Sequence, residues 1–217
     1  LERVFYHDIA NTVTGIQGIV NVARPYPEAE DENYFELLRS AATQLAEEVE
    51  SHKTLKAAED GALPLNTDMI DGRELVKSAV AFFAYTLFGK NIALTVDPAS
   101  DRAFLETDPV ILKRILVNMI KNAIEAAEKG ESIVIRCSIA LSGSRVVFTV
   151  RNRAVMPEEA KRLVFQRSFS TKGIGRGVGT YGMKLLAERY LKGSVGFSSR
   201  SGEGTVFFLD LPVEFPR

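Results

Sequence analysis

The apolar residues near the start of the chain recur in steps of four and three, and this spacing constrains the fold more than any other feature. Such steps place side chains along one stripe of an α-helix. The stripe leaves His7 and Asn11 on another face of the same helix. The residues of the stripe are Phe5, Ile9, Val13, Ile16, Val20 and Ala23.

A second amphipathic helix is predicted after a short turn. Pro25 and Pro27 end the first helix because proline cannot donate to it, and the acidic run 28–32 starts the next. Two helices that each bury one stripe leave apolar surface uncovered, so we expect a second copy to complete a four-helix bundle in a homodimer. The apolar residues of this helix are Leu38, Ala42, Leu45, Val49 and Leu55.

The helical period ends around Asp60-Gly61-Ala62-Leu63-Pro64, which is the predicted domain boundary. Residues 1–60 would form the helical hairpin and 61–217 a second domain, giving an α+β chain. Within 61–217 the patterns predict helices from Asp71 to Tyr85, from Asp108 to Gly130, near 157–164 and from Tyr181 to Leu191, and strands at 91–96, 131–140, 145–151, 194–199 and 204–211.

The charge balance bears on partners and location. There are 27 Lys and Arg against 28 Asp and Glu, and phosphate-backbone binding needs a basic excess, so we expect no nucleic-acid partner. No apolar run approaches the about 20 residues that span a bilayer, so we expect no membrane contact within this stretch. Cys137 lies in an apolar, alternating run and is expected to be a small buried hydrophobe in a cytoplasmic protein.

The segment His7-Asp8-Ile9-Ala10-Asn11 is the first candidate site. An imidazole beside a carboxylate suits a nucleophile, because Asp8 can accept the proton of one ring nitrogen and leave the other free to attack phosphorus. Asn11, one turn on, can orient a water for the reverse hydrolysis. A solvent-exposed histidine without a function is the alternative for this segment taken alone.

Asn118 and Asn122 are the second candidate site. They lie at positions i and i+4 of a predicted helix, so both amides project from one face. A neutral amide oxygen ligates Mg²⁺ weakly enough for the ion to keep waters and reach nucleotide phosphates. Both amides are therefore candidates for such a site. Two asparagines on a helix surface are the alternative.

A glycine-rich stretch that runs directly into a helix is the third candidate site. Glycine lets the backbone approach phosphates, and the helix that follows presents free N–H groups to anions. Phe165 and Phe169, just before the stretch, are expected to anchor a mobile lid by packing. A flexible loop is the alternative. The candidate phosphate-binding residues are Lys172, Gly175, Arg176, Gly177 and Gly179.

In this order and spacing, the three sites resemble the histidine, asparagine, phenylalanine and second glycine boxes of sensor histidine kinases. The closing segment 193–212 resembles the family's last two strands. The resemblance covers nearly the whole chain. It implies a dimerisation and phosphoacceptor hairpin followed by a two-layer α/β sandwich that binds ATP, as in histidine kinases and gyrase. It also implies Mg²⁺ as a cofactor, with Asn122 as its ligand and Asn118 as a companion on the phosphate side. A response regulator receiver domain as a partner and Thr205 among the nucleotide-binding residues are implied as well.

One box departs from the family pattern. The first glycine box is usually Asp-x-Gly-x-Gly, whose carboxylate accepts a hydrogen bond from the adenine amino group. Here the matching stretch is 150–157, in which Asn152 replaces the aspartate and both glycines are absent. A neutral acceptor gives a bond weaker by about 1 kcal/mol, so we expect weakened ATP binding.

The resemblance implies ATP-dependent autophosphorylation of His7 with Asp8 as its acid–base partner, and then phosphoryl transfer to an aspartate of a response regulator. Asn11 matches the family's phosphatase position. The alternative is a histidine phosphotransfer or scaffold module with degenerate, weak ATP binding. Related hydrolytic ATPases carry a glutamate where this chain has Asn118, which disfavours hydrolysis as the main reaction.

Overall fold

The computed structural model of the chain describes residues 49–83, 91–167 and 178–216. The chain divides into two compact units, Leu1–Leu63 with Gln166–Gly179, and Pro64–Phe165 with Thr180–Arg217. The predicted hairpin up to residue 48 lies outside the described residues. Its two helices, its dimer and the domain boundary at residue 60 therefore stay predictions.

Helix α1, at 49–59, is the described part of the first unit. The chain leaves this helix through Gly61, whose φ is 71°. The N–H of Ala62 donates to the Ala57 carbonyl at 2.8 Å, and the N–H of Gly61 donates to the Ala58 carbonyl at 3.3 Å. Paired bonds around a left-handed glycine terminate α-helices. The helix thus ends where the sequence predicts.

The second unit is built on a five-stranded mixed sheet in the order β2-β4-β5-β7-β6. Strand β2 pairs with β4 in parallel, and the other neighbours are antiparallel. A separate antiparallel pair joins β1 and β3. The strands are β1 (Asp68–Asp71), β2 (Ala93–Val96), β3 (Phe104–Thr107), β4 (Ser132–Ile139), β5 (Arg145–Asn152), β6 (Ser194–Arg200) and β7 (Gly204–Pro212).

Helices cover one face of this sheet. Helix α2 packs on β4, α3 packs on α2 and on β5, and the π-helical turn that ends α5 packs on α3 and β6. Solvent exposure alternates from residue to residue along the strands, because inward side chains are buried while their neighbours face outward. The helices are α2 (Gly72–Ala81), α3 (Pro109–Ala126), α4 (Glu158–Leu163) and α5 (Val178–Leu185), which the π-helical turn Leu186–Tyr190 continues.

The core lies between α3 and the central strands. Each fully buried aliphatic or aromatic side chain there contributes about 1.5–3 kcal/mol to stability. The side chains without solvent exposure include Leu112, Ile115, Leu116, Met119 and Ile120 from α3, and Ile133, Ile135, Phe148 and Leu209 from the sheet. Helix α3 is consequently fixed in both position and rotation about its axis.

Cys137 is part of this core. Its thiol is buried on β4. Burial, with the negative charges of Asp101 and Asp71 nearby, raises the pKa of the thiol to about 12. The group is therefore protonated at neutral pH and packs as a small hydrophobe, as predicted from the alternating run.

The predicted elements of the second unit are confirmed, with shifts at their ends. Helix α3 stops at Ala126 and does not reach Gly130, because Ala127 has an extended backbone with ψ of 144°. Helix α5 begins at Val178, earlier than predicted. Strands β1 and β3 were not predicted. No helix within the described residues has the length and apolar character needed to cross a membrane.

Asp108 fixes the start of α3. One carboxylate oxygen accepts from the N–H groups of Val110 and Ile111 at 2.9 and 3.0 Å, and the other accepts from Asn66 at 2.8 Å. Asp108 is buried, with only 3% of its surface exposed. It therefore caps the helix and joins it to the strand region before β1.

Replacing this cap should destabilise the second unit. We expect Asp108→Ala to lower the free energy of unfolding by about 2–3 kcal/mol, because three backbone N–H groups lose their acceptor, one of them in a buried bond and two in partly buried bonds. Urea denaturation measures the loss. The matched control is Asp68→Ala, whose carboxylate accepts an exposed bond from Met69, and it should change stability by less than about 0.5 kcal/mol. Equal losses in both variants would refute this role.

Candidate functional site

The two asparagines of α3 lie at the edge of its buried stripe, within one turn of Ile115 and Met119. Asn118 and Asn122 are both half-buried, whereas Ile115, Met119 and Ile120 are fully buried. The Nδ2 atom of Asn122 is buried and has no hydrogen-bond partner among the described residues. An unpaired buried donor costs about 1–3 kcal/mol, so this amide is suited to a bound acceptor such as a phosphate oxygen. Its carbonyl oxygen has the chemistry of a Mg²⁺ ligand.

Asn152, the last residue of β5, lies beside the end of α3. Its Nδ2 donates to the backbone carbonyl of Ala123 at 3.3 Å, and the residue is 5% exposed. Ala123 directly follows Asn122 in α3. The structure therefore brings the candidate base-reading residue and the candidate metal ligand to the same place.

Thr205 is paired with Asn152 across β5 and β7. Its hydroxyl donates to the Ala154 carbonyl at 2.7 Å and lies 2.8 Å from the Ser199 hydroxyl. Since the Thr205 proton is used for Ala154, Ser199 donates to Thr205. The N–H of Met156 in turn donates to Ser199 at 2.8 Å. This hydroxyl relay holds the loop after β5; a direct role of Thr205 toward a nucleotide stays a prediction.

Gly204, the first residue of β7, permits a close approach to β5. Its φ is 81°, and a Cβ atom there would lie 2.1 Å from the carbonyl oxygen of Asn152 and 2.9 Å from the Cα of Arg153. Only glycine fits both the left-handed backbone and this contact. The site therefore depends on a glycine outside the segment that the family pattern marks as the first glycine box.

Phe165 packs as the sequence predicts. Its ring centroid lies 6.0 Å from that of Phe197 and 6.4 Å from that of Phe207. The ammonium of Lys184 lies 5.8 Å from the centroid of the Phe165 ring. Aromatic contacts of this kind contribute about 0.5–1.5 kcal/mol beyond area burial. The chain is thus fixed to the sheet just before the predicted lid.

Arg167, the last described residue before the predicted lid, forms an ion pair with Glu59 of α1. The guanidinium nitrogen lies 3.0 Å from the carboxylate oxygen, and the Arg167 side chain is 52% exposed. Exposed pairs contribute about 0–1 kcal/mol. The pair is consequently too weak to fix the lid by itself.

Several predicted site residues lie outside the described residues, and their roles stay predictions. Gly179 is described, and it lies half-buried in the first turn of α5. The sequence interpretation missed Ser199 and the Ala123 carbonyl. Ser199 could have been found, because it occupies an inward position of a predicted strand. The predicted residues that lie outside are His7, Asp8, Asn11, Phe169, Lys172, Gly175, Arg176 and Gly177.

Comparison with known proteins finds a family model that matches the second unit from the end of β3 onwards. The family described as "Histidine kinase-, DNA gyrase B-, and HSP90-like ATPase" matches residues 107–214. Sporulation kinase C of Bacillus subtilis (strain 168) is 26% identical over 212 residues, which are 96% of this chain and 47% of that protein. The chain thus spans about half the length of this curated relative.

Solved structures share the fold. Histidine kinase AdeS of Acinetobacter baumannii has a TM-score of 0.69 at 19% identity, covering 95% of this chain and 98% of that one. Histidine kinase ThkA, solved in complex with the response regulator protein TrrA, has a TM-score of 0.62 at 22% identity, covering 96% and 59%.

Breaking the hydroxyl relay should loosen the loop after β5. We expect Ser199→Ala to lower the free energy of unfolding by about 1–2 kcal/mol and to speed amide exchange at Met156, because that N–H loses its acceptor. Hydrogen exchange and urea denaturation measure both effects. Ser198→Ala, at the exposed neighbouring position, is the control and should change neither. Unchanged exchange at Met156 in Ser199→Ala would contradict the relay.

Proposed function

We propose that this chain binds ATP beside the end of α3 and phosphorylates its own His7. Its residues 107–214 belong to the histidine kinase-, DNA gyrase B- and HSP90-like ATPase family and form a histidine kinase catalytic domain. The observation that carries the proposal is the buried, unpartnered Nδ2 of Asn122, next to the bond from Asn152 to Ala123. A polar donor without a partner fits a phosphate group, and a buried amide beside it fits a nucleobase.

On the phosphate side, Asn122 would act through both ends of its amide. Its oxygen would hold Mg²⁺ and its Nδ2 would donate to a phosphate oxygen, while Asn118 lies one turn earlier on the same helix. Bound Mg²⁺ would supply neutralisation of the phosphate charge. The helix would contribute mainly position, because α3 is locked by its buried side chains.

The glycine-rich stretch would close over the phosphates. Lys172 and Arg176 would add positive charge, and the glycines at 175, 177 and 179 would let backbone N–H groups approach the phosphate oxygens. Phe165 would anchor this lid at its start, since its ring packs against Phe197 and Phe207.

In the transfer step one ring nitrogen of His7 would attack the γ-phosphorus, and the bond from that phosphorus to the bridging oxygen of ADP would break. Asp8 would accept the proton of the other ring nitrogen and so favour attack. Asn11 would serve the reverse hydrolysis. The first helix would present these residues, and a homodimer through the hairpin would complete its four-helix bundle.

The phosphohistidine would then pass its group to an aspartate of a response regulator receiver domain. ThkA, which shares the fold, was solved in complex with the response regulator protein TrrA, and this supports the proposal. The chain would be the cytoplasmic kinase core of a longer sensor, since it spans 47% of Sporulation kinase C. A scaffold module without ATP binding is not favoured, because the base side of the site retains an organised polar residue in Asn152.

Autophosphorylation should require His7. Incubation of the full chain with radiolabelled ATP and Mg²⁺ should give a label that is labile in acid and stable in alkali, and His7→Gln should abolish it because the nucleophile is gone. The matched control is His52→Gln, at the second of the chain's 2 histidines, which should keep the label. A label that survives in His7→Gln, or that His52→Gln removes, would overturn the assignment.

Asn122 should matter for nucleotide binding and not for folding. We expect Asn122→Ala to weaken binding of ATP in the presence of Mg²⁺ by at least about tenfold in calorimetry, because a ligand oxygen and a donor are lost. The free energy of unfolding without nucleotide should stay within about 1 kcal/mol, since the deleted Nδ2 has no partner to lose. Asn66→Ala, whose exposed side chain lies elsewhere, is the control. Unchanged ATP binding in Asn122→Ala would exclude this metal site.

A further inference from the structure

We infer that position 152, which would contact the nucleobase, is built for an amide and excludes a carboxylate. The Ala123 carbonyl determines which end of the Asn152 amide faces α3. The inference rests on the proposed function, since it concerns the nucleotide that this domain binds. It goes beyond that function in two ways. It assigns a positioning role to the Ala123 carbonyl of α3, and it predicts that aspartate at position 152, the family's usual residue, weakens ATP binding.

The first step is the orientation of the amide. A primary amide has a donor end and an acceptor end. The donor end of Asn152 is held by the Ala123 carbonyl at 3.3 Å, so the acceptor Oδ1 is directed away from α3. No donor of the described residues is hydrogen-bonded to that oxygen. Thr205, across the ladder, uses its hydroxyl for Ala154 and Ser199.

The second step is the cost of a carboxylate at the same position. An ionised aspartate would have no proton to give, and it would place an oxygen about where Nδ2 lies, 3.3 Å from the Ala123 carbonyl oxygen. The position is 5% exposed, so the charge would also lose most of its hydration. The Ala123 carbonyl therefore matches the donor end of Asn152 and would repel the oxygen that an aspartate places there.

The third step is the choice of base. The acceptor Oδ1 is complementary to a 6-amino group, which donates, and repels a 6-oxo group, which presents a second acceptor. Turning the amide to offer its Nδ2 to a 6-oxo purine would break the bond to Ala123 and bring Oδ1 against that carbonyl oxygen, so that two acceptors face each other. The fixed amide thus selects ATP against inosine triphosphate, which has oxygen where adenine has its amino group.

The test uses the full chain with Mg²⁺ and compares ATP with inosine triphosphate by calorimetry. We expect the inosine nucleotide to bind at least about tenfold more weakly, the effect of one hydrogen bond replaced by a repulsive contact. Asn152→Asp should weaken ATP binding by about tenfold or more, although it restores the family's usual residue. Thermal unfolding shows whether this variant keeps its fold.

A neutral variant covers the case in which the aspartate variant does not fold. Asn152→Ala removes both ends of the amide, so it should bind the two nucleotides within about threefold of each other. Tighter ATP binding by Asn152→Asp, or equal binding of the two nucleotides by the unmodified chain, overturns this inference and leaves the proposed function standing. Absence of binding by either nucleotide overturns both.

Discussion

The rotational setting of helix α3 is the constraint on which the rest of the site depends. Its apolar stripe is buried without exposure, so the helix cannot turn about its axis without removing Ile115, Met119 and Ile120 from the core. Asp108 fixes where the helix begins. With both fixed, Asn122 has to lie at the edge of the stripe, and the carbonyl of Ala123 has to point where β5 ends. The polar site is a consequence of apolar packing.

The strand side of the site depends on a second constraint, the close approach of β7 to the end of β5. Gly204 allows it, and Thr205 and Ser199 then reach the loop that follows Asn152. A loop without glycine would normally be held by its own backbone conformation alone. Here the side-chain hydroxyls of two neighbouring strands hold it, and the relay runs in one direction because each hydroxyl both donates and accepts once.

Much of this fold could be predicted from the sequence, because the long elements carry strong periodicity. Strands β4, β5 and β7 have 8 or 9 residues, and α3 has 18, so alternation and helical spacing identify them. Strands β1 and β3 have 4 residues each, too few for a pattern to stand out. The orientation of the Asn152 amide could not be predicted either, since its hydrogen-bond partner, Ala123, lies 29 residues away in another element. The sequence shows that an amide is present and cannot show which end is engaged.

The two departures from the family pattern, an amide at position 152 and a loop without two glycines, would act on ATP binding in opposite directions. A neutral acceptor at position 152 gives a bond to the base that is weaker by about 1 kcal/mol than a charged one. A loop without the two glycines has fewer conformations to lose when a ligand binds, which would favour binding. The hydroxyl relay restricts that loop further before any ligand arrives. An amide that is oriented in advance, beside a loop that is already held, needs less strength in the bond itself.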